Sequence, residues 1–419
     1  MFTKILRYFS VTAAVVIFLA AGVSAQRLVS NVSNGTLRPN VVGARLNEIF
    51  KNAPLAANSP QIELRKIVYT TIDVKGRSVN VSGLVAWPTG GAPNGLVVFC
   101  HGTIQDRRNS PSKWTGKPNG SEAETATYAF ATGGYAVVIP DYLGLGDHQA
   151  AHPYPLNVTN ARSARDSIVP ARMLAMQTGY KIGPKLYVTG YSEGGGIAMA
   201  LTRDLQGLNS SGYQVEKSAP ASGPYDVTDT TRDFMLVDGT DTLGFGVRLY
   251  LLSYATYYFR KEHGVKITNY FKPTMANSIW LNYNSTVSDE NLIKRLVITA
   301  TLMRAKNSMK NVLTPEFISR LERLDKSDPL IAELAKQDVY DWSPRTPMLL
   351  INLEGDGVVD PRNTEKAFRT MRARGIGRDK LRRYIIPGEG LNHVIAVPNA
   401  MSAARKFFDE GFAGVRDAQ

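Results

Sequence analysis

Short, almost uninterrupted apolar runs recur along this chain and alternate with segments of helical spacing. "NGLVVFCHG", "YAVVIPD", "KLYVTGYS" and "PMLLINLEG" are such runs, and helical stretches lie around 121–132 and 160–178. Runs of this kind are typical of strands that are buried on both faces of a parallel sheet. The alternation therefore predicts an α/β fold with a doubly wound, mostly parallel sheet and helices on both of its faces.

Further segments extend the predicted sheet. "LRKIVYTTIDV" and "VNVSGLVAWP", joined by the turn-forming "KGRS", predict an antiparallel pair of strands. "EKSAPASGP" and "LRRYIIPG" predict two more strands. Ahead of all of them, residues 26–62 are predicted to form a polar N-terminal arm with one short helix near "GARLNEIFKNA".

One region breaks the alternation, because it contains no run typical of a buried strand. "LGFGVRLYLLSYATYYFRKEH", "DENLIKRLVITATLMRAK" and "TPEFISRLERL" show helical spacing of apolar residues instead. We therefore predict a helical cap at 226–340, inserted between two parts of one α/β core at 63–225 and 341–419. The cap should cover the carboxyl edge of the sheet, where open α/β sheets bind ligands. The aromatic residues of "YATYYF" would line an apolar channel there or, as we favour, pack among the cap helices.

The N-terminus has the pattern of a secretory signal peptide. Lys4 and Arg7 are followed by the apolar run "VTAAVVIFLAAGV" and the small-residue site "VSA". This order predicts a signal at 1–25 that is cleaved after Ala25, and hence a secreted or periplasmic protein. A retained membrane anchor is the alternative, but the apolar run is short for a bilayer span. We expect no stable membrane insertion after cleavage.

The charge distribution argues against nucleic acid as a partner. The chain has 419 residues and a formal net charge of +13, but its basic residues are mostly scattered. The densest stretch, "RTMRARGIGRDKLRRY", is more typical of a solvated face than of nucleic-acid binding. Cys100 is the only cysteine, so an internal disulfide is excluded, and its place at the end of "GLVVFC" indicates a small buried hydrophobe rather than a reactive thiol.

A serine in a glycine-rich turn is the strongest chemical signal. Gly190-Tyr191-Ser192-Glu193-Gly194 matches GxSxG and lies between the predicted strand "KLYVTG" and the predicted helix "GGIAMALTRDL". That context is the one a nucleophile elbow requires, with glycines that let strand and helix approach closely. Ser192 is therefore our candidate nucleophile, and a structural glycine turn is the alternative.

A serine hydroxyl becomes a good nucleophile only when a base removes its proton. The chain has five histidines, His101, His148, His152, His263 and His393. Of the two that follow the candidate nucleophile, one falls in the middle of the predicted cap, whereas His393 follows the last predicted strand in "PGEGLNHVIAV". His393 is therefore the candidate base, with a solvent-exposed capping residue as the alternative.

An acid must orient the imidazole, and three carboxylates follow the strand "PMLLINL". They are Glu354, Asp356 and Asp360. Asp356 is favoured because it lies on the tight loop after the strand, whereas Asp360 precedes a proline and is better placed to cap the next helix. The order Ser192, Asp356, His393 fits an α/β-hydrolase triad.

Two backbone N–H groups are needed where negative charge develops. One is expected from Glu193, directly after the nucleophile, and one from the loop after "VVFCHGT", with Thr103 favoured over Ile104. The Glu193 carboxylate would then lie at a helix N-terminus, where the helix dipole favours negative charge. His101 is expected to hold the loop in shape, with a second catalytic base as the alternative.

A metal site is not expected. His148 and His152 have the i, i+4 spacing of a zinc pair, but "GDHQAAHPYP" lacks the glutamate of HExxH and reads as a loop. Loop or rim histidines are the favoured interpretation. The mechanism outlined by the triad also requires no organic cofactor.

In combination, these segments resemble the α/β-hydrolase superfamily over roughly residues 60–415. The matching segments are "VVFCHGT", "GYAVVIPDYLGLGDHQAAHPY", "VTGYSEGGG", "SGPYDV", "LEGDGVVDPRNTEKAF" and "GLNHV". "PDYLGLG" followed by "HPY" and "GYSEGG" is similar to the secretory-lipase branch, which includes lipase A and has a helical cap. The chain departs from secreted fungal members in having one cysteine, which favours a bacterial relative.

The resemblance implies hydrolysis of a small-molecule or lipid-like carboxylic ester through an acyl-enzyme. Ser192, Asp356 and His393 take the triad positions, and the amides of Thr103 and Glu193 take the oxyanion hole. Two alternatives remain open. One is a serine peptidase of the same fold, and the other is a non-catalytic binding protein on a hydrolase scaffold.

Overall fold

A single mixed sheet forms the centre of the protein in the computed structural model, which describes residues 26–56, 58–208, 210–238, 242–283 and 287–419. The predicted signal at 1–25 lies outside the described residues. The strands are β1 (Leu28–Leu37), β2 (Ile62–Ile72), β3 (Ser78–Pro88), β4 (Leu96–Cys100), β5 (Ala136–Pro140), β6 (Leu186–Tyr191), β7 (Val215–Ala221), β8 (Met348–Leu353) and β9 (Leu381–Ile386).

Fourteen α-helices are found among the described residues. They are α1 (Pro39–Ile49), α2 (Glu122–Ala131), α3 (Asn157–Asp166), α4 (Ile168–Gln177), α5 (Glu193–Leu208), α6 (Arg232–Met235), α7 (Thr242–His263), α8 (Pro273–Asn282), α9 (Asp289–Leu302), α10 (Met309–Val312), α11 (Pro315–Glu322), α12 (Pro329–Leu334), α13 (Arg362–Ala373) and α14 (Val397–Glu410). Short 3₁₀ turns and one π turn at Val227–Thr231 connect some of them.

The strand order is β1-β2-β3-β5-β4-β6-β7-β8-β9. The pairs from β1 to β5 are antiparallel, and the pairs from β5 through β4 to β9 are parallel. All five residues of β4 are buried, and alternate residues enter two different cores. Val97 and Phe99 belong to the core that includes α2 and α14, whereas Val98 and Cys100 belong to the core that includes α3 and α5. Helices therefore cover both faces, as the uninterrupted apolar runs predict.

The predicted arm at 26–62 differs from the structure, because Leu28–Leu37 is a strand that pairs antiparallel with β2. Only Leu37 in this strand is buried. Its sequence, "LVSNVSNGTL", has no apolar run, since an edge strand that is exposed along most of its length needs none. The predicted short helix is present at Pro39–Ile49.

Between β7 and β8 the described residues form the α-helices α6 to α12, which are joined by turns and loops. Their apolar side chains form a third core of their own, which contains Phe245, Leu249 and Phe259 from the long helix α7. Buried residues occur on most sides of α7, so it is the central helix of this layer. No helix among the described residues is long and apolar enough to cross a membrane.

Candidate active site

Ser192 lies at the turn between β6 and α5, with a left-handed backbone of φ 59°. This conformation is strained for a residue with a side chain. Glycine is required on both sides, because a Cβ atom at Gly190 or Gly194 would overlap the carbonyl oxygen of Cys100. The turn is held from the neighbouring strand by a 3.1 Å hydrogen bond from Ser192 N to Ala221 O. The Ser192 side chain is thereby presented at the carboxyl edge of the sheet.

His393 contacts one of the three carboxylates that follow β8. Its Nδ1 lies 2.7 Å from Oδ2 of Asp356, and both side chains are buried. Oδ1 of Asp356 accepts hydrogen bonds from the amides of Val358 and Val359, which fix the carboxylate. The structure therefore brings together the acid and the base that the sequence favours.

The other two carboxylates are engaged elsewhere. Asp360 accepts hydrogen bonds from the backbone N and from Nε of Arg362, at 2.8 and 2.7 Å. Glu354 accepts a 3.4 Å bond from Gly388 N. Pro361 occupies the position before α13 and makes no side-chain capping bond, so Asp360, which accepts from the amide of the first helical residue, Arg362, does help to cap this helix.

The opposite side of the His393 ring is available for chemistry. Nε2 is buried and has no hydrogen-bond partner among the described residues. His393 and Ser192 both line a cavity of about 750 Å³. The Tyr191 hydroxyl donates a 2.7 Å hydrogen bond to the backbone oxygen of His393, and the two rings lie 4.9 Å apart. Tyr191 therefore ties the serine turn to the histidine loop.

A second, smaller cavity of about 110 Å³ also reaches Ser192. Its walls are mostly apolar and come largely from the helical layer of α6 to α12, called the cap from here on, including Leu251, Leu252 and Ala255 of α7. The aromatic residues of "YATYYF" pack in or against the third core, whereas Leu251, Leu252 and Ala255 line the apolar space. Thr103 lines both cavities, so it lies where they meet at Ser192.

The loop after β4 lies directly against the serine turn. A Cβ atom built on Gly102 would be 3.3 Å from Ser192 Cβ. Thr103 and Glu193, the two residues predicted to supply oxyanion-hole amides, line the small cavity together with Ser192. Two hydrogen bonds also join this loop to the cap, from Gln105 N to Asp289 Oδ1 at 3.0 Å and from the Tyr254 hydroxyl to Ile104 O at 3.1 Å.

His101 stabilises the same loop. Its Nδ1 lies 2.7 Å from Gly102 O, and its ring stacks on Tyr142 at 4.3 Å. Burial lowers the pKa of His101 to about 4, so the ring is neutral over most of the pH range. These contacts fit the loop-holding role expected from the sequence better than a role as a second base.

Sequence reasoning did not identify Glu122, the first residue of α2. Its Oε2 accepts a 2.9 Å hydrogen bond from Gly102 N, and it lines the large cavity with Ser192. Burial, with a smaller contribution from the nearby Glu193 carboxylate, raises the pKa of Glu122 to about 8. No sequence motif marks this glutamate, because its position depends on how α2 packs beside the β4 loop.

His148 and His152 have different partners from each other. His148 Nδ1 accepts a 2.8 Å bond from Gly144 N, whereas His152 is buried beside Glu193. The predicted loop location is correct for both, but His152 is not at an exposed rim. Among the residues that the structure describes, no cluster of three or more His, Cys, Asp or Glu side chains could hold a metal ion.

The family model described as secretory lipase matches residues 122–416. A provisionally assigned hydrolase from Legionella pneumophila is 25% identical, with a TM-score of 0.78 over 92% of this chain and 98% of that one. The rice cell wall degrading esterase LipA from Xanthomonas oryzae is 21% identical, with a TM-score of 0.74 over 92% of this chain and 99% of that one. No match is found among curated protein sequences.

A more distant likeness is to Candida antarctica lipase A. It is 13% identical and has a TM-score of 0.60, over 89% of this chain and 79% of that one. Together with the mostly parallel sheet, these likenesses confirm the predicted α/β-hydrolase fold.

Proposed function

This chain belongs to the secretory lipase family, and from that premise we propose that it is an exported serine hydrolase that cleaves carboxylic esters through an acyl-enzyme. Family membership supports an ester hydrolase acting on small-molecule substrates. Export is supported by the family description and by the signal-peptide pattern of the first 25 residues. The mostly apolar cavity beside Ser192 favours esters with an apolar part.

The observation that carries the proposal is the 2.7 Å contact between His393 Nδ1 and Asp356 Oδ2. A carboxylate accepts only, so Nδ1 bears the proton and Nε2 of the neutral ring is the acceptor. His393 lines the same cavity as Ser192. A base in this tautomer is what removal of the serine proton requires.

The proposed reaction begins when Ser192 Oγ attacks the ester carbonyl and His393 Nε2 takes its proton. The amides of Thr103 and Glu193 stabilise the tetrahedral oxyanion. His393 then gives the proton to the leaving alcohol, and an acyl group remains on Ser192. Water repeats the sequence with His393 as base, releasing the acid and restoring the serine. Asp356 orients the ring and stabilises the imidazolium throughout.

The proposal is tested with Ser192→Ala in the purified mature protein. We expect wild type to turn over p-nitrophenyl esters and to be labelled by a fluorophosphonate, and the variant to lose about 10⁴-fold or more in kcat and all labelling. The Ser192→Ala protein should keep the wild-type unfolding temperature to within a few degrees, which separates loss of chemistry from loss of folding.

Two outcomes would contradict the proposal. Faster turnover of aminoacyl p-nitroanilides than of esters would identify a peptidase of the same fold. A folded wild-type protein that neither labels nor turns over esters would identify a binding protein on a hydrolase scaffold.

A further inference from the structure

A buried carboxylate follows Ser192 directly. The Glu193 side chain is only 2% exposed, and Oε1 lies 3.2 Å from Nε2 of His152. Its other oxygen, Oε2, is buried and has no hydrogen-bond partner among the described residues. The contact with His152 is therefore the polar interaction that accounts for this buried group.

The protonation of His152 follows from its second contact. Nδ1 lies 2.7 Å from the backbone oxygen of Leu143, which can only accept, so Nδ1 bears a proton. A neutral imidazole has one N–H group, and Nε2 would then present a lone pair to the oxygen of Glu193. Two acceptors at 3.2 Å repel each other, so a further proton lies between these atoms. The pair is either imidazolium with carboxylate or imidazole with carboxylic acid.

The His152 side chain is held in place by the residues around it. Its ring lies between aromatic side chains of the core and the cap. The centre of the ring is 6.1 Å from that of Tyr142, 6.3 Å from that of Tyr154 and 5.8 Å from that of Tyr254. The side chain is 1% exposed. Glu193 is also the first residue of α5, so a fixed side chain restrains the peptide unit that joins it to Ser192.

We propose that the proton shared by Glu193 and His152 fixes the Glu193 peptide N–H toward the oxyanion, which makes both side chains positioning residues for the hydrolysis proposed above. The inference rests on that function. It also explains why a carboxylate is compatible with the position after the nucleophile, because the shared proton leaves the pair without net charge.

The other titratable groups around the pair keep a constant charge near neutral pH. His101 is neutral because burial lowers its pKa to about 4. Tyr142, Tyr154 and Tyr254 stay protonated because burial raises their pKa values above the usual range. Among the described groups that face the pair, Glu122 of α2 is the one whose pKa lies near neutral pH, because burial raises it to about 8. Kinetic measurements at about pH 6 to 7 therefore compare the variants of the pair while the surrounding groups keep their charge.

The first experiment compares Glu193→Ala, Glu193→Gln, His152→Ala and the double alanine variant. Removing the restraint on one oxyanion donor should lower kcat about 10- to 100-fold in either alanine variant, with KM nearly unchanged. A glutamine amide can still donate to Nε2 of a neutral His152, so Glu193→Gln should stay within about 5-fold of wild type. The double variant should lose no more than the worse single one, because both changes break the same contact.

The second readout is the shared proton itself. In proton NMR spectra of the wild type we expect a strongly downfield resonance that disappears in Glu193→Gln and in His152→Ala but persists in Asp356→Asn. Asp356→Asn replaces the charged His393–Asp356 bond with a bond to a neutral amide. A downfield signal from that pair would therefore shift or vanish, and the variant tells it apart from the signal of Glu193 and His152. A purely structural role for Glu193 would not predict this resonance.

Asp166→Asn is the matched control, because this carboxylate is also fully buried and binds Thr71 at 2.8 Å in another part of the fold. It should lower stability and leave kcat unchanged. Wild-type kcat in Glu193→Ala, or absence of the resonance, would overturn the inference. If wild type itself neither turns over esters nor labels, the proposed function fails and the positioning role falls with it, while the resonance still decides whether the proton is shared.

Discussion

Tyr191 connects the serine turn and the histidine loop, which must meet in the reaction proposed above. Its hydroxyl donates a 2.7 Å bond to His393 O, and its ring is 1% exposed against the imidazole. Tyr191→Phe keeps the ring contact but leaves the carbonyl without this donor. We expect a stability loss of about 1–2 kcal/mol and, because the base is less well held, a fall of about 3- to 10-fold in kcat/KM. Ester kinetics and denaturant unfolding measure both.

Tyr69→Phe is the control for this prediction. Tyr69 of β2 is also fully buried, and its hydroxyl donates a 3.0 Å bond to Ser163 O of α3. It should lose similar stability with unchanged kcat/KM. Equal kcat/KM in both variants and wild type would contradict a role for the Tyr191 bond in holding His393.

The site residues that the sequence predicts are positioned by strand order, whereas those that it misses are positioned by tertiary packing. Ser192, Asp356 and His393 follow strand ends in a fixed order, so the strand pattern alone brings them to one edge. Glu122 and the buried contact of His152 depend on how a helix and a loop pack in three dimensions. No spacing in the sequence encodes such packing.

At the level of elements, the buried strands were predictable because each is a short apolar run. β4, β5, β6 and β8 are buried along their whole length, whereas β1 is mostly exposed and has no such pattern. The lateral order of the strands was not predictable, since β5 lies between β3 and β4. Strand order is set by which helices pack on which face, which a single sequence does not display.

The cap contributes to the site through α9. Asp289, its first residue, accepts hydrogen bonds at Oδ1 from Gln105 N and from the Tyr250 hydroxyl, at 3.0 and 2.9 Å. Asp289→Ala removes this link between the cap and the loop that carries Thr103. We expect about a 10-fold fall in kcat/KM for p-nitrophenyl esters, because a looser loop places its amide less well.

Asp289→Asn is the control, since its amide oxygen can still accept both bonds. Burial raises the pKa of Asp289 above its usual value, so a neutral side chain is well tolerated there. The asparagine variant should retain kcat/KM to within about 3-fold. An equal loss in both variants would mean that the negative charge, and not the loop link, is what matters.

For the molecule as a whole, Glu122 makes the free energy of unfolding depend on pH. Burial raises its pKa from 4.5 to about 8 in the folded protein. Between these values the folded state holds a proton that the unfolded state has released, so stability is greatest below about pH 4.5 for this group and falls as the pH rises toward 8. Ionisation is completed above that value, and the loss then levels off.

Glu122→Gln removes this titration and isolates its effect. We expect the variant to gain stability relative to wild type as pH rises, with the gap widening up to about pH 8 and constant beyond, as measured by denaturant unfolding over a pH series.

The same charge lies on the cavity that contains Ser192, where it would oppose a developing oxyanion. Wild-type kcat/KM should therefore decline above about pH 8 and the variant should decline less. Stability and activity curves that stay parallel for the two proteins would show that Glu122 is already ionised at neutral pH. The carboxylate would then act only as the acceptor for Gly102 N.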